Sequence, residues 1–191
     1  MLENILRKHH VILGSKSPRR KQFLKELNIS FESRTIDTPE VYPEKYKEEE
    51  ITEFLADLKC KAIQLTAQEL LITADTIVWS KNKALEKPKD HVEAYQMLSE
   101  LSGSSHQVIT SVCLATTKKK KIFTDKTTVY FKQLTSEEIN YYIENYKPYD
   151  KAGGYGIQEW IGLIGVTKIE GSYANVVGLP AEKLYNELKN F

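Results

Sequence analysis

Ser15-Lys16-Ser17-Pro18-Arg19-Arg20 follows a short apolar run, Val11-Ile12-Leu13, and a single glycine. That order predicts a buried strand feeding a polar loop and then a helix. Pro18 suits the first helical position, where its missing N–H would have had no intrahelical partner. A helix start of this kind offers N–H groups and the positive end of the helix dipole to an anion. Arg19 and Arg20 add planar guanidinium forks that match phosphate oxygens. Adjacent helical residues point about 100° apart, so the pair also suits an exposed first turn with at least one arginine solvated. Ala74-Asp75-Thr76 closes a second apolar run. In α/β sheets catalytic groups gather beyond the carboxyl ends of strands. An aspartate there would hold a divalent cation or accept a proton from water; the plainer reading is a local turn.

Three further stretches carry weaker signals. In Leu85-Glu86-Lys87-Pro88 the proline fixes the chain just past Lys87 and would hold its ammonium in place, although a plain turn has the same composition. Asp150-Lys151-Ala152-Gly153-Gly154-Tyr155-Gly156-Ile157-Gln158 has three glycines within four residues, which permits close ligand approach. Its spacing fits neither a Walker loop nor a dinucleotide fingerprint. Gln158 would read a base edge through its paired donor and acceptor. Gly171-Ser172-Tyr173-Ala174-Asn175-Val176-Val177-Gly178-Leu179-Pro180 turns tightly into a last helix and reads as architecture rather than chemistry.

Strands and helices must position these residues. After the helix that opens at Pro18 and stops at Asn28, residues 31–36 alternate as a second strand. Residues 45–66 hold the longest helical pattern, with Ile51, Phe54, Leu55, Leu58, Ala62 and Leu65 at spacings of three and four. Residues 70–74 form a strand whose end delivers Asp75 and Thr76, residues 77–79 continue extended, and Lys81-Asn82-Lys83 reads as a hairpin turn. Asp90 caps a helix over residues 91–101. Residues 108–116 and 122–131 are strand-like, joined by four lysines, Lys118 to Lys121, that suit a solvated hairpin tip better than a nucleic-acid contact. Thr135 and Glu138 are spaced as a capping box. Beyond the glycine-rich loop come further strands and a final helix from about Pro180. Strands alternating with helices, without repeat or linker, indicate one α/β domain over residues 1–191.

The whole chain narrows the partners. Its 191 residues are 41% hydrophobic and 28% charged, a globular balance, and the formal net charge of +1 argues against a general nucleic-acid binder. Cys60 and Cys113 have no companions at metal-ligand spacing and read as reduced, partly buried thiols. His9 and His10 are adjacent, and His91 and His106 are isolated. No signal peptide pattern opens the chain, and no apolar run approaches the ~20 residues needed to cross a bilayer. The expectation is a cytoplasmic protein with no membrane partner and no specific nucleic acid.

Taken in order, SxSPRR at residues 15–20, ADT at 74–76, EKP at 86–88, DKAGGYGIQ at 150–158 and GSYxNVVGLP at 171–180 closely resemble the Maf family over about residues 11–191. The resemblance implies an elongated α/β fold related to inosine triphosphate pyrophosphatase, a mixed sheet with flanking helices, two lobes and a central cleft. It implies hydrolysis of nucleoside triphosphates between the α and β phosphates, a divalent cation (Mg2+ or Mn2+), and a homodimer as a common state. The family's proton acceptor falls on Asp75, its phosphate-loop residues on Ser15, Arg19 and Arg20, and its cleft lysines on Lys59 and Lys87. Its further acidic residue falls on Glu40, with Asp37 a competing position; Asp75 and Glu40 would hold the metal. Three positions separate a dTTP/UTP branch from a 7-methyl-GTP branch. Here they are Arg19, Thr76 and Gln158, and all three resemble the pyrimidine branch. Gly154 departs from a common alanine, and Glu159-Trp160 follows the glutamine where a glycine is frequent. The alternatives are the 7-methyl-GTP branch and a non-enzymatic regulatory or nucleic-acid-associated protein. A serine or cysteine nucleophile ranks below both, because Ser15, Ser17 and Cys60 lack a histidine nearby in sequence.

Overall fold

The computed structural model describes residues 6–35 and 37–191. It shows a mixed α/β fold whose seven-stranded sheet has the order β2 (Glu32–Ser33), β1 (His10–Leu13), β3 (Glu69–Ser80), β5 (Ser105–Ala115), β6 (Lys120–Phe131), β7 (Val166–Glu170), with β4 (Lys83–Leu85) paired to β3. The chain divides into two compact units. One holds residues up to Asp75 together with 110–125 and 178–191; the other holds 76–109 and 126–177.

In the first unit, β1 (His10–Leu13) lies parallel to β3 (Glu69–Ser80), in register from His10 opposite Glu69 to Leu13 opposite Ile72. Parallel strands need both faces covered, and here strand alternation divides the apolar residues between two clusters. Leu13, Leu70 and Ile72 pack with Leu24 of α1 (Pro18–Glu26) and with Leu184 and Leu188 of α7 (Ala181–Asn190). Ile12 and Leu71 pack with Ala56 and Cys60 of α2 (Glu49–Lys61) and with Cys113 of β5 (Ser105–Ala115). Both thiols are free and buried more fully than expected.

Several elements differ in extent from the sequence pattern. The helix expected over residues 45–66 starts at Glu49, because Glu48 has φ of 49°, a left-handed conformation that cannot propagate a right-handed helix. The second strand shrinks to β2 (Glu32–Ser33), although the Arg34 N–H still reaches the Leu13 carbonyl at 3.1 Å; Ile36 lies outside the described residues. The strand expected to end at residue 74 runs on, so Asp75 and Thr76 sit inside a continuous β3 rather than at its end. Pairing with β1 nevertheless stops at Ile72, and pairing with β4 (Lys83–Leu85) begins only at Val78. Asp75 therefore still lies beyond the carboxyl end of its parallel neighbour.

The lysine run is largely occupied within the first unit. Lys120 pairs with Asp57 at 2.6 Å, Lys121 pairs with Glu187, and Lys119 donates to the Phe191 carbonyl oxygen at 3.1 Å. Its turn is closed by the Thr116 N–H on the Lys119 carbonyl at 2.8 Å, ahead of β6 (Lys120–Phe131).

In the second unit, Lys81 and Asn82 both have positive φ, 48° and 60°, so the hairpin turn expected at residues 81–83 is a two-residue loop, with Lys83 already paired to Ser80. Asp90 caps α3 (His91–Leu101), and Thr135 with Glu138 forms the full capping box of α4 (Ser136–Tyr146). Two short helices, α5 (Trp160–Gly165) and α6 (Tyr173–Val177), flank β7 (Val166–Glu170) where strands and a tight turn were expected. Periodicity has little power over helices of six and five residues. The core gathers Val78, Leu98, Val129, Tyr142 and Ile161. Among the described residues, no helix is long and apolar enough to cross a membrane.

The Gly171–Pro180 stretch is architectural, as its composition suggests. Asn175 is fully buried and its amide donates to the Val108 carbonyl at 3.0 Å and to Thr127 Oγ1 at 2.9 Å. Asn175→Ala would strip a partner from two buried groups and should destabilise the protein by about 2 kcal/mol. In urea unfolding the midpoint should fall while the slope stays unchanged; an unshifted midpoint would refute the role.

Candidate active site

In the first unit the local sequence builds the start of α1 as expected. Ser17 is the N-cap of α1 and accepts from the Arg20 N–H at 3.4 Å, with Pro18 at the helix start. Ser15 is buried; its hydroxyl accepts from the Ser17 N–H at 3.2 Å and from Arg20 Nη1 at 3.4 Å. Arg20 folds back over this turn. Its Nε donates to the Gly178 carbonyl at 2.8 Å and its Nη1 to the Ala74 carbonyl at 2.7 Å. Arg20 thus ties the helix start both to the residue before Asp75 and to the loop that enters α7. This contact was not legible in the sequence, because both acceptors are main-chain carbonyls with no side-chain signature. Arg19 lies close enough for its charge to act on Arg20.

Asp75 is buried, and Lys59 of α2 reaches it: Nζ lies 2.5 Å from Asp75 Oδ1 and 2.8 Å from Glu40 Oε1. One ammonium therefore links two carboxylates. Asp37, the competing acid, pairs instead with Lys16 at 2.5 Å on the surface. Burial pushes the Asp75 carboxyl above the ordinary carboxylate range. The charges of Lys59 and Arg20 oppose that rise, and Glu40 adds to it. Burial likewise lowers the Arg20 guanidinium, against the pull of Asp75. Ser15, Arg19, Arg20, Glu40, Lys59 and Asp75 are thereby gathered in one unit around one buried acid.

Among the described residues no three His, Cys, Asp or Glu side chains come together as a metal cluster. The donor set near Asp75 is two carboxylates already sharing an ammonium, which is chemically apt for a hard cation whose remaining ligands are water and phosphate oxygens.

Thr76, Lys87 and Gln158 belong to the second unit. Thr76 is half-buried, while Lys87 and Gln158 are exposed. Here two of the sequence motifs meet, since the Gly153 N–H donates to the Glu86 carbonyl at 3.0 Å. Gly153 has φ of 69°, and a Cβ there would lie 2.8 Å from Val78 Cγ2, so the close approach requires glycine. Two residues that sequence reasoning passed over support the loop. His106, isolated in sequence, is buried with Nε2 2.7 Å from the Tyr155 hydroxyl. Burial lowers its pKa to about 4, which keeps the imidazole neutral. Tyr142 accepts from the Gly156 N–H at 2.9 Å.

The chain is 54% identical over 190 residues to a dTTP/UTP pyrophosphatase of Flavobacterium johnsoniae, covering 98% of each protein. It is 52% identical over 191 residues to a dTTP/UTP pyrophosphatase of Christiangramia forsetii, covering 99% of this chain and 97% of that one. Among solved structures, a HAM1 protein from Coxiella burnetii aligns over 96% of this chain and 100% of its own, with 13% identity and a TM-score of 0.49. The family model of the Maf-like proteins matches residues 10–191, and with relatives of this identity along nearly the full chain, the protein belongs to the Maf-like family.

Proposed function

We propose that this protein hydrolyses pyrimidine nucleoside triphosphates, dTTP and UTP, to the monophosphate and pyrophosphate. The observation that carries the reading is the buried Asp75 carboxylate, held by Lys59 beside Glu40 and the Arg20 turn. Full-length relatives at just over half identity that bear the name dTTP/UTP pyrophosphatase supply the substrate class.

A triphosphate brings about four negative charges, and a cationic lining counts for most where water is scarce. In the first unit, α1 offers its N-terminal N–H groups and Arg19 to phosphate oxygens, while Arg20 holds the turn and adds its charge. Asp75 takes the proton of the attacking water, its raised pKa making it a better base than a surface aspartate near neutral pH. Lys59 keeps the carboxylate ionised and oriented. Lys87 serves the departing pyrophosphate, while Arg19, Thr76 and Gln158 are the positions assigned to base selection. Asp75 and Glu40 would hold a divalent cation, which when bound supplies charge neutralisation on the phosphate oxygens. The protein would work in the cytoplasm, as a homodimer. The occupied lysine run disfavours the nucleic-acid alternative.

Asp75→Asn should lower kcat with UTP by roughly a hundredfold or more. Relative to the unfolded chain, folding makes Asp75 easier to protonate. Its stabilising contribution is therefore present below the ordinary carboxylate pKa and is lost as pH rises through the raised value. Asp75→Asn should consequently melt no more than a few degrees below wild type; a folded variant with wild-type turnover would remove Asp75 from its role. Lys59→Met takes away the cation that opposes the upward shift, so the acidic limb of kcat/KM should move to higher pH. An unmoved limb would show that Lys59 does not govern this proton. The product should be pyrophosphate, lost on EDTA treatment and restored by Mg2+; orthophosphate alone would refute α–β cleavage.

A further inference from the structure

Around Gln158 the second unit closes a ring of polar contacts that base recognition by a single glutamine does not itself require. Tyr142 of α4 is fully buried, stacked on Tyr146 with ring centroids 5.1 Å apart. Its hydroxyl accepts from the Gly156 N–H at 2.9 Å and donates to Glu159 Oε2. The other oxygen of Glu159 pairs with Lys151 Nζ at 3.1 Å, and that ammonium also holds Asp150 at 2.6 Å. The ring runs from residue 151 through 159 to 142 and back to 156, and Gln158 lies inside the segment that it closes. Gly156 takes part a second way. A Cβ on it would stand 2.8 Å from Gln158 Nε2, so the glutamine side chain folds over the bare glycine.

A primary amide carries a donor on one side and an acceptor on the other, and half a turn about its last bond exchanges them. Uracil and cytosine differ by that exchange, a carbonyl in one and an amine in the other at the same ring position. An amide free to swing would serve both bases; one laid over bare Gly156, in a segment pinned on either side, has less room to turn and is biased to one. We propose that Tyr142, Glu159 and Lys151 are positioning residues that fix the orientation of Gln158 and thereby set discrimination between uracil-type and cytosine bases. This rests on the pyrimidine triphosphatase reading given above. None of the three acts on the reacting atoms. Glu159 also occupies the N-cap of α5 without capping it through its side chain, which leaves its carboxylate for the ring.

The test compares kcat/KM for UTP and CTP, with pyrophosphate as readout, in wild type, Tyr142→Phe, Glu159→Ala and Glu159→Gln. Tyr142→Phe and Glu159→Ala should each lower the UTP-to-CTP ratio by about tenfold, mainly through KM, with kcat for UTP within about threefold of wild type. Glu159→Gln keeps an acceptor for the Tyr142 hydroxyl and should keep most of the ratio, a rescue that a loss of general stability would not give. Hydrogen exchange at the Gly156 amide should accelerate in Tyr142→Phe. If buried Tyr142 does not tolerate the change, the two Glu159 variants carry the test, because that carboxylate is partly exposed. Folded Glu159→Ala with the wild-type ratio overturns the proposal, as does an equal fall in kcat for both nucleotides at unchanged KM. Wild type that releases no pyrophosphate from UTP overturns the underlying reading and the selectivity role with it. That outcome is seen before any substitution and so is distinct from failure of the ring.

Discussion

The Lys59–Asp75 contact is the interaction around which the polar residues of the first unit are arranged. Burial makes an isolated carboxylate reluctant to ionise, and an ammonium at 2.5 Å works against that reluctance without cancelling it. The result is a carboxyl poised above the ordinary range, which is what a base for water needs near neutral pH. Lys59 reaches this position because α2 packs its Ala56–Cys60 face on Ile12 and Leu71, fixing the helix beside β3. Glu40 then gives the same ammonium a second partner. The pair is thus both a local ion pair and a consequence of how α2 seats on the sheet.

Arg20 performs the complementary task with main-chain acceptors. A guanidinium has five donors in a fixed plane. Two of its nitrogens bind the carbonyls of Ala74 and Gly178, which joins the start of α1 to the backbone immediately before Asp75. The anion-attracting helix terminus and the acid are therefore set by one side chain. In the second unit the same logic is carried by neutral groups. The hydroxyl of Tyr142 and the neutral ring of His106 take up polar groups of a glycine-rich loop that has few side chains of its own for anchorage.

Much of this was legible in advance where the cause is local. Pro18 after Ser17, Asp90 before α3 and the Thr135–Glu138 box act within one helical turn, so spacing alone reveals them. The hairpin at Lys81-Asn82 is equally local. Misjudged extents trace to longer-range causes. The left-handed Glu48 cut α2 short, and β3 ran on past the last residue paired with β1, with β5 as its other neighbour in the sheet. Short α5 and α6 offered too few turns for a period to emerge.

By itself the sequence determined the order of motifs, the α/β alternation and the family, and it offered candidates for phosphate binding and proton acceptance. Each of these depends on residue type or on contacts a few positions apart. Only the tertiary structure decided that Glu40 rather than Asp37 shares an ammonium with Asp75, that Arg20 is tied to carbonyls 54 and 158 positions away, and that Tyr142 closes a loop 14 residues on. The physical reason is that hydrogen bonds to main-chain groups and between distant charged side chains leave no periodicity in the chain. They exist only once packing has brought their partners within about 3 Å.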